Sequence, residues 1–276
     1  MDYIGLDKLL YSALKEDIGA GDITTLCCIP EENRSEAYFL AKESGVICGI
    51  DIAARVFSLV DETISFNSLI KDGDAVSKGY IIATVVGPSR GILSGERVAL
   101  NLMQRLSGIA TATAKAVESV SGTKARIVDT RKSTPGLRVL EKYAVRTGGG
   151  HNHRFNLSDG VLIKDNHISA AGGIANAVSA AKSSVPHVMK IEVETETLDE
   201  VREALVAGAD IIMLDNMSLE LMTEAVGLIN GRALTEASGN MGEKDLAEVA
   251  KTGVDVISIG ALTHSVKSLD ISLKFK

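Results

Sequence analysis

The chain of 276 residues carries 36 acidic against 29 basic side chains, a net charge of −7, and is 45% apolar with 4% aromatic residues and no tryptophan. An acidic whole excludes a general nucleic-acid or polyanion binder, which must present a basic face to phosphates. The length allows one large α/β domain, or one such domain with a smaller companion, and the aliphatic composition suits helices packed on a buried sheet.

The start, Met1-Asp-Tyr-Ile-Gly-Leu-Asp-Lys, lacks the basic and apolar regions of an export signal. No window reaches the roughly 18 uncharged residues of a membrane span, so a cytoplasmic protein is expected. Cys27, Cys28 and Cys48 have no second CxxC and no nearby histidine. They form neither a disulfide framework nor a zinc site and are expected to be reduced and mostly buried.

Apolar residues at Ile4, Leu6, Leu9, Leu10, Ala13 and Leu14 predict an amphipathic helix over residues 3–17, ended by Gly19-Ala-Gly-Asp-Ile-Thr-Thr. From Arg34 to Gly87 the pattern turns to short strands over Ala37–Ala41, Gly45–Gly49, Thr63–Phe66 and Tyr80–Val86, with a helix over Ile52–Leu59: a small α+β region. Within it, the stretch from Lys71-Asp-Gly-Asp to Ala83-Thr-Val resembles half of a biotinyl or lipoyl carrier hairpin. The modified lysine of a carrier has no counterpart, so only strand and turn geometry is shared. Ser94–Ser121 predicts one long helix, or two joined near Ser107-Gly108. Arg105 lies on it, where a helical arginine is ordinarily solvated.

From Lys124 onward, strand patterns recur at Ala125–Val128, Gly160–Ile163, Val188–Val193, Asp210–Leu214, Ala233–Thr235 and Val254–Ile259. Helical patterns alternate with them at Leu137–Arg146, Ile168–Lys182, Leu198–Ala207, Leu219–Ile229 and Glu243–Lys251. Strand and helix in turn signify parallel βα units around a sheet buried on both faces. Each apolar run ends in polar residues: Asp129-Thr-Arg-Lys, Lys164-Asp-Asn-His, Glu192-Val-Glu, Asp215-Asn, Glu236-Ala-Ser-Gly and Gly260-Ala-Leu-Thr-His. In a (β/α) barrel such ends converge on one mouth that holds the active site. About six units fall short of eight, so a barrel that lacks strands or is partly open is expected.

The phrases Asp129-Thr-Arg-Lys-Ser-Thr-Pro-Gly, Gly148-Gly-Gly-His-Asn-His-Arg and Leu162-Ile-Lys-Asp-Asn-His concentrate cations among turn residues. Arg138, Lys142 and Arg146 occupy helical positions and are expected to be solvated. Arg131, Lys132, Arg154 and Lys164 stand at strand ends or glycine-rich loops, where like charges facing one cavity repel unless an anion neutralises them. A ligand with several negative charges is implied. His153 and His167 lack zinc-ligand spacing; His153 is expected to donate a hydrogen bond to a carboxylate, and a structural role fits His167 and His187.

Glu194 and Asp215 follow neighbouring strands, where paired carboxylates serve as general acid and base, metal ligands or acceptors for sugar hydroxyls. An ion pair with nearby lysines is the structural alternative. Ser238-Gly-Asn-Met-Gly and Gly260-Ala-Leu-Thr-His-Ser offer backbone N–H groups to a phosphate, although glycine at a βα turn is also ordinary turn chemistry.

At these phrases the chain resembles the quinolinate phosphoribosyltransferase family, from Glu16-Asp-Ile-Gly-Ala-Gly-Asp to the Gly260-Ala-Leu-Thr-His-Ser segment and beyond, essentially its whole length. The resemblance implies an N-terminal α/β sandwich domain over residues 1–108, with 267–276 packing back on it. It implies an open (β/α) barrel of the type II phosphoribosyltransferase kind over 109–266, in a homodimer or a multiple of dimers with shared active sites. The implied reaction moves phosphoribose from phosphoribosyl pyrophosphate to the ring nitrogen of quinolinate, giving nicotinate mononucleotide, pyrophosphate and carbon dioxide for NAD synthesis. By the same resemblance Arg131, His153, Arg154 and Lys164 hold the quinolinate carboxylates, and Lys132 is shared with pyrophosphate. Lys132, Lys164, Glu194 and Asp215 form the catalytic set, with Glu194 and Asp215 meeting the ribose hydroxyls and Mg2+. Ser238, Gly239, Asn240, Gly260, Ala261 and His264 fall in the 5-phosphate loops. Arg105, in Gln104-Arg-Leu-Ser-Gly, matches an arginine that reaches into the neighbouring subunit's site.

One departure stands in the phosphate loop, where Asn240 replaces the second of two glycines; asparagine tolerates left-handed backbone, so the loop is expected to survive. Two alternatives go with the main reading. A molybdenum-transport-associated paralogue of the same fold is expected to lack the Lys164-Asp-Asn-His phrase. A non-catalytic sensor of a phosphorylated or dicarboxylate metabolite has no need of both cations and ribose carboxylates.

Overall fold

The computed structural model describes residues 4–276, and Met1 to Tyr3, with the first residue of the expected helix, lie outside the described residues. In chain order the elements are α1 (Leu6–Ile18), α2 (Ile23–Cys28), β1 (Arg34–Ala41), β2 (Gly45–Val46), α3 (Ile50–Val60), β3 (Ser65–Ser68), β4 (Ala75–Val76), β5 (Ile81–Pro88) and α4 (Ser89–Ser119). There follow β6 (Arg126–Val128), α5 (Arg138–Thr147), β7 (Val161–Ile163), α6 (Asp165–Ala171), α7 (Ile174–Ser184), β8 (Ile191–Thr195), α8 (Leu198–Ala207), β9 (Ile211–Asp215) and α9 (Leu219–Ile229). The chain ends in β10 (Leu234–Ser238), α10 (Leu246–Lys251), β11 (Val256–Ser258), α11 (Ala261–His264) and β12 (Ile271–Phe275). Two compact units result: one takes the chain through Ala112 together with Val266–Lys276, and the other is Thr113–Ser265. No helix among the described residues is long and apolar enough to cross a membrane.

The first unit is built on an antiparallel sheet of order β12-β1-β5-β3, with Phe39 opposite Leu273. Phe39 and Phe57 are fully buried and meet edge-on at 6.1 Å, with Phe66 beside them. The carrier-like loop has a mechanical role: the Asp72 carboxylate accepts the N–H groups of Gly49 and Ile50 at 2.9–3.0 Å, satisfying orphan donors at the start of α3. The strand expected over Gly45–Gly49 accordingly stops at Val46, and Gly49 turns with φ +101° into the helix. The long helix α4 is unbroken. Gly108 is a point of close approach instead of a joint, because a Cβ there would lie 2.3 Å from the Lys267 carbonyl oxygen.

Helix α1 ends at Ile18 as expected, while the burial of the cysteines is corrected. The segment after Gly19 forms α2, whose N-terminus is capped by Asp22 through a 3.0 Å bond from the Thr25 N–H. That short helix leaves Cys27 and Cys28 exposed, and only Cys48 is buried; all three thiols are free.

The second unit carries a parallel sheet of order β6-β11-β10-β9-β8-β7. Its interior strands are largely buried, with Val193, Ile212 and Ile257 fully enclosed. The sheet is open between β6 and β7. On the β6 side the glycine-rich segment adds a single parallel bridge, Val128 to His151, through bonds of 2.8 and 3.2 Å. The helix expected over Ile168–Lys182 is two helices, because Gly172 and Gly173 adopt φ of +77° and +129° between them.

Candidate active site

The first two cation-rich phrases are brought together by a buried charge. Asp129, just past β6, is fully buried and accepts from the Lys142 ammonium of α5, from Asn152 Nδ2 at 2.5 Å and from the His153 N–H at 2.9 Å. Lys142 is also fully buried; its Nζ donates to the His153 carbonyl at 2.9 Å and lies 5.1 Å from the centre of the Phe155 ring. Burial pushes the Asp129 carboxyl up and the Lys142 ammonium down, and their ion pair and the added donors oppose both displacements. The expectation that Lys142 is solvated is therefore wrong: one face of α5 lies against the loop, and its lysine pairs with that carboxylate. Arg138 is not freely solvated either, since its guanidinium bonds Ser133 Oγ at 2.8 Å and the Phe155 carbonyl at 3.0 Å, clasping the two loops. Arg146 is exposed as expected.

At the C-terminal ends of the strands lies a cavity of about 350 Å³. Arg131 follows β6, Lys164 follows β7, and Glu194, Asp215, Glu236 and Ser258 lie on β8, β9, β10 and β11, so all six strands meet around it. An arrangement of that kind needs a sheet curled into a barrel. Lys132, His153, Arg154 and Ser238 complete the walls that the sequence predicted. Arg154 anchors one guanidinium nitrogen on the Gly160 carbonyl at 2.8 Å, and its pKa is lowered by burial and by the charge of Arg131. Arg131 Nε is buried with no hydrogen-bond partner. Two guanidinium groups that repel each other across a half-enclosed space form a receptor for carboxylate or phosphate.

The strand-end carboxylates Glu194 and Asp215 line the same cavity. Glu194 pairs with Lys164 Nζ at 3.1 Å, the structural alternative raised for it, yet both side chains also border the cavity. Asp215 accepts from Asn216 Nδ2 at 2.7 Å. His167 accepts the Lys164 N–H on its Nδ1 at 3.0 Å and so serves the start of α6.

Gly239 and Asn240 on the loop after β10, Gly260 after β11, and Ala261 and His264 at the two ends of α11 stand beside the cavity lining instead of in it. Gly239 has φ +91°, and a Cβ there would fall 2.2 Å from Asn216 Oδ1, so only glycine fits. Asn240 follows with φ +52°, the left-handed geometry expected of it. Gly260 passes under the Lys132 stem, with room for a Cβ only 3.0 Å from Lys132 Cδ. The Thr263 hydroxyl bonds the Lys132 carbonyl at 2.7 Å, so the last phosphate-type loop fixes the backbone of the first cation loop.

Two site residues escaped the sequence reading. Glu192 on β8 and Glu236 on β10 are 4% and 3% exposed and converge on His153, whose Nε2 lies 3.1 Å from Glu192 Oε2 and 3.7 Å from Glu236 Oε2. The signal was the strand period: Glu192 shares a face with Glu194, and Glu236 shares one with Ser238. His153 Nδ1 accepts the Arg154 N–H at 2.8 Å, so the ring carries its proton on Nε2 and donates it to Glu192. Burial lowers the imidazole pKa, but the bond to Glu192 and the charges of both acids outweigh it and raise the balance above the usual value. A second ring proton still has no place while Arg154 occupies Nδ1, and the geometry sets the neutral ring. Although one ligand atom from each of the three residues lies within 4.8 Å of the others, a metal-bound imidazole donates its second nitrogen outward. Here that nitrogen accepts, which marks a hydrogen-bonded cluster.

Arg105 lies on α4 in the other unit. The residues of the cavity all belong to Thr113–Ser265.

A parallel barrel whose strand ends enclose one cavity, with arginines and lysines against paired carboxylates and glycine-tight loops at its rim, defines a barrel enzyme of the phosphoribosyltransferase class. Family models agree. Residues 22–107 match the N-terminal domain of quinolinate phosphoribosyl transferase, and residues 109–274 match its C-terminal domain. A probable nicotinate-nucleotide pyrophosphorylase [carboxylating] of Bacillus subtilis is 50% identical over 273 residues, covering 99% of this chain and 94% of that protein. The chloroplastic nicotinate-nucleotide pyrophosphorylase [carboxylating] of Arabidopsis thaliana is 47% identical over 288 residues, covering 98% and 82%. The crystal structure of NadC from Streptococcus pyogenes superposes with a TM-score of 0.94 at 44% identity, covering 100% of this chain and 99% of that one. The chain belongs to the quinolinate phosphoribosyltransferase family.

Proposed function

We propose that this protein transfers phosphoribose from phosphoribosyl pyrophosphate to the ring nitrogen of quinolinate with loss of a carboxyl group, giving nicotinate mononucleotide, pyrophosphate and carbon dioxide for NAD synthesis. The observation that carries this reading is that one cavity gathers the cations Arg131, Lys132, Arg154 and Lys164 with the strand-end carboxylates Glu194 and Asp215. Arg131 and Arg154 take the dicarboxylate, with His153 bordering the same end and Lys164 beside it. Lys132 faces pyrophosphate. Glu194 and Asp215 accept the ribose hydroxyls, and Ser238, Gly239, Asn240, Gly260, Ala261 and His264 cradle the 5-phosphate.

The charges suit the reaction. As the bond to pyrophosphate stretches, the anomeric carbon gains positive charge facing the carboxylates, and the leaving group gains negative charge facing the lysines. Attack by the ring nitrogen gives a pyridinium, whose positive nitrogen stabilises the electron pair left on the neighbouring ring carbon when carbon dioxide departs. Glu194 and Asp215, two carboxylates at the cavity edge, also fit Mg2+, which keeps several waters and takes one or two carboxylates besides substrate phosphates. Bound there, Mg2+ would neutralise pyrophosphate charge. The protein acts in the cytoplasm as a homodimer or multiple of dimers, with Arg105 completing the partner's site.

Purified protein with magnesium should release labelled carbon dioxide from carboxyl-labelled quinolinate only when phosphoribosyl pyrophosphate is present. Absence of release at saturating substrates would remove the enzymatic reading and leave the metabolite sensor or the molybdenum-transport-associated paralogue. Turnover of nicotinate in place of quinolinate would assign a different acceptor.

A further inference from the structure

The His153 cluster holds one acid more than a histidine needs. Glu192 receives the Nε2 proton at 3.1 Å and is a sufficient partner; Glu236, 3% exposed, sits 3.7 Å from the same nitrogen. Its other oxygen is buried with no hydrogen-bond partner. Glu236 also lines the cavity at the end occupied by His153, Arg131 and Arg154. An isolated buried carboxylate is costly, and a structural role alone is better filled by an amide or an apolar side chain.

The proposed reaction makes one further demand. When the carbon–carbon bond to the departing carboxyl breaks, its electron pair stays on the ring carbon beside the alkylated nitrogen. That carbon must then take a proton to become the C–H of the product. Among the groups lining the cavity, a carboxyl that keeps its proton is a stronger acid than arginine, lysine or a neutral imidazole. Resting on the functional reading above, we propose that Glu236 is the acid that delivers this proton to the ring carbon. The new C–H bond takes the former C–C electron pair, the Glu236 O–H bond breaks toward oxygen, and solvent returns the proton after product leaves.

The environment keeps that proton in place until it is needed. Burial, with the negative charge of Glu192 beside it, raises the Glu236 carboxyl to about 8. At neutral pH the acid is protonated and within range of useful proton transfer. The groups facing it are Glu192 from β8, His153 from the bridging loop and Ser258 from β11.

The test follows one turnover by rapid quench, measuring pyrophosphate and nicotinate mononucleotide in the same samples. For Glu236→Gln, pyrophosphate release is expected within about threefold of wild type, while nicotinate mononucleotide forms about 100-fold more slowly, the usual size of one general-acid contribution. Phosphoribosylated quinolinate should accumulate, and Glu236→Asp should recover part of the loss. A variant in which both products keep the wild-type ratio overturns the proposal, whether both are fast or both are slow. A second measurement needs no variant: in deuterium oxide, wild-type product formation should slow at least twofold more than pyrophosphate release, and equal effects overturn the assignment. Wild-type protein that makes neither product defeats the functional reading itself, a distinct result.

Discussion

Replacing Glu236 by glutamine removes a titrating group from the barrel interior while conserving its shape, and the change should appear in folding stability whatever the reaction. The folded carboxyl is raised from 4.5 to about 8. A raised folded value means that the native state holds its proton where the unfolded chain has lost it. The stabilising contribution is therefore complete below the unfolded value and disappears as pH rises through the folded one. At about 1.4 kcal/mol per pH unit, the full span corresponds to about 5 kcal/mol, an upper limit because Glu192 shares the proton. Between pH 5 and pH 8 the same linkage gives roughly 3–4 kcal/mol. Urea unfolding of both proteins at intervals across that range should show glutamine gaining on glutamate by up to this amount toward pH 8. Stability curves that stay parallel within about 1 kcal/mol would refute the buried, protonated carboxyl.

Lys142→Met should cost about 3–5 kcal/mol, because it strands the Asp129 carboxylate among buried groups; denaturant unfolding measures it, and a loss below about 1 kcal/mol would show that the pair does not hold the loop. Gly239→Ala should raise KM for phosphoribosyl pyrophosphate at least tenfold, about 1.4 kcal/mol, with quinolinate KM much less affected, since the new methyl would strike Asn216 in a left-handed loop; an unchanged KM removes that loop from the phosphate site. Arg105→Ala and Lys132→Ala proteins, each inactive alone, should regain partial activity when mixed as subunits, and failure in proven heterodimers would end the shared-site assignment of Arg105.

Much of the architecture is legible along the chain because it rests on short periods. Helices α8 and α9 coincide with their expected bounds, and all six barrel strands fall within a few residues of their apolar runs. The same regularity places Arg131, Lys132, Lys164, Glu194, Asp215 and Ser238 together, since residues that follow parallel strands share one end of a sheet. Asn240 was readable too: its tolerance of left-handed backbone depends on the residue alone, and its φ is +52°.

Other features depend on neighbours that no window contains. Spacing assigned Lys142 to water, because a helical lysine is normally exposed; the Asp129 side chain that buries it comes from another strand end. Ser107-Gly108 resembles a helix break until the C-terminal segment crosses it. Glu192 and Glu236 read as polar strand ends, and only the closing of β8 and β10 around the His153 loop makes them a buried proton-sharing cluster. The sequence by itself determined the alternation of strands and helices in the barrel and most of the side chains at its mouth, because those follow from local periodicity. The tertiary structure decided which charges are buried, which carboxyl keeps its proton and which loop each cation holds, because burial and electrostatic coupling are set by distances between segments remote in the chain.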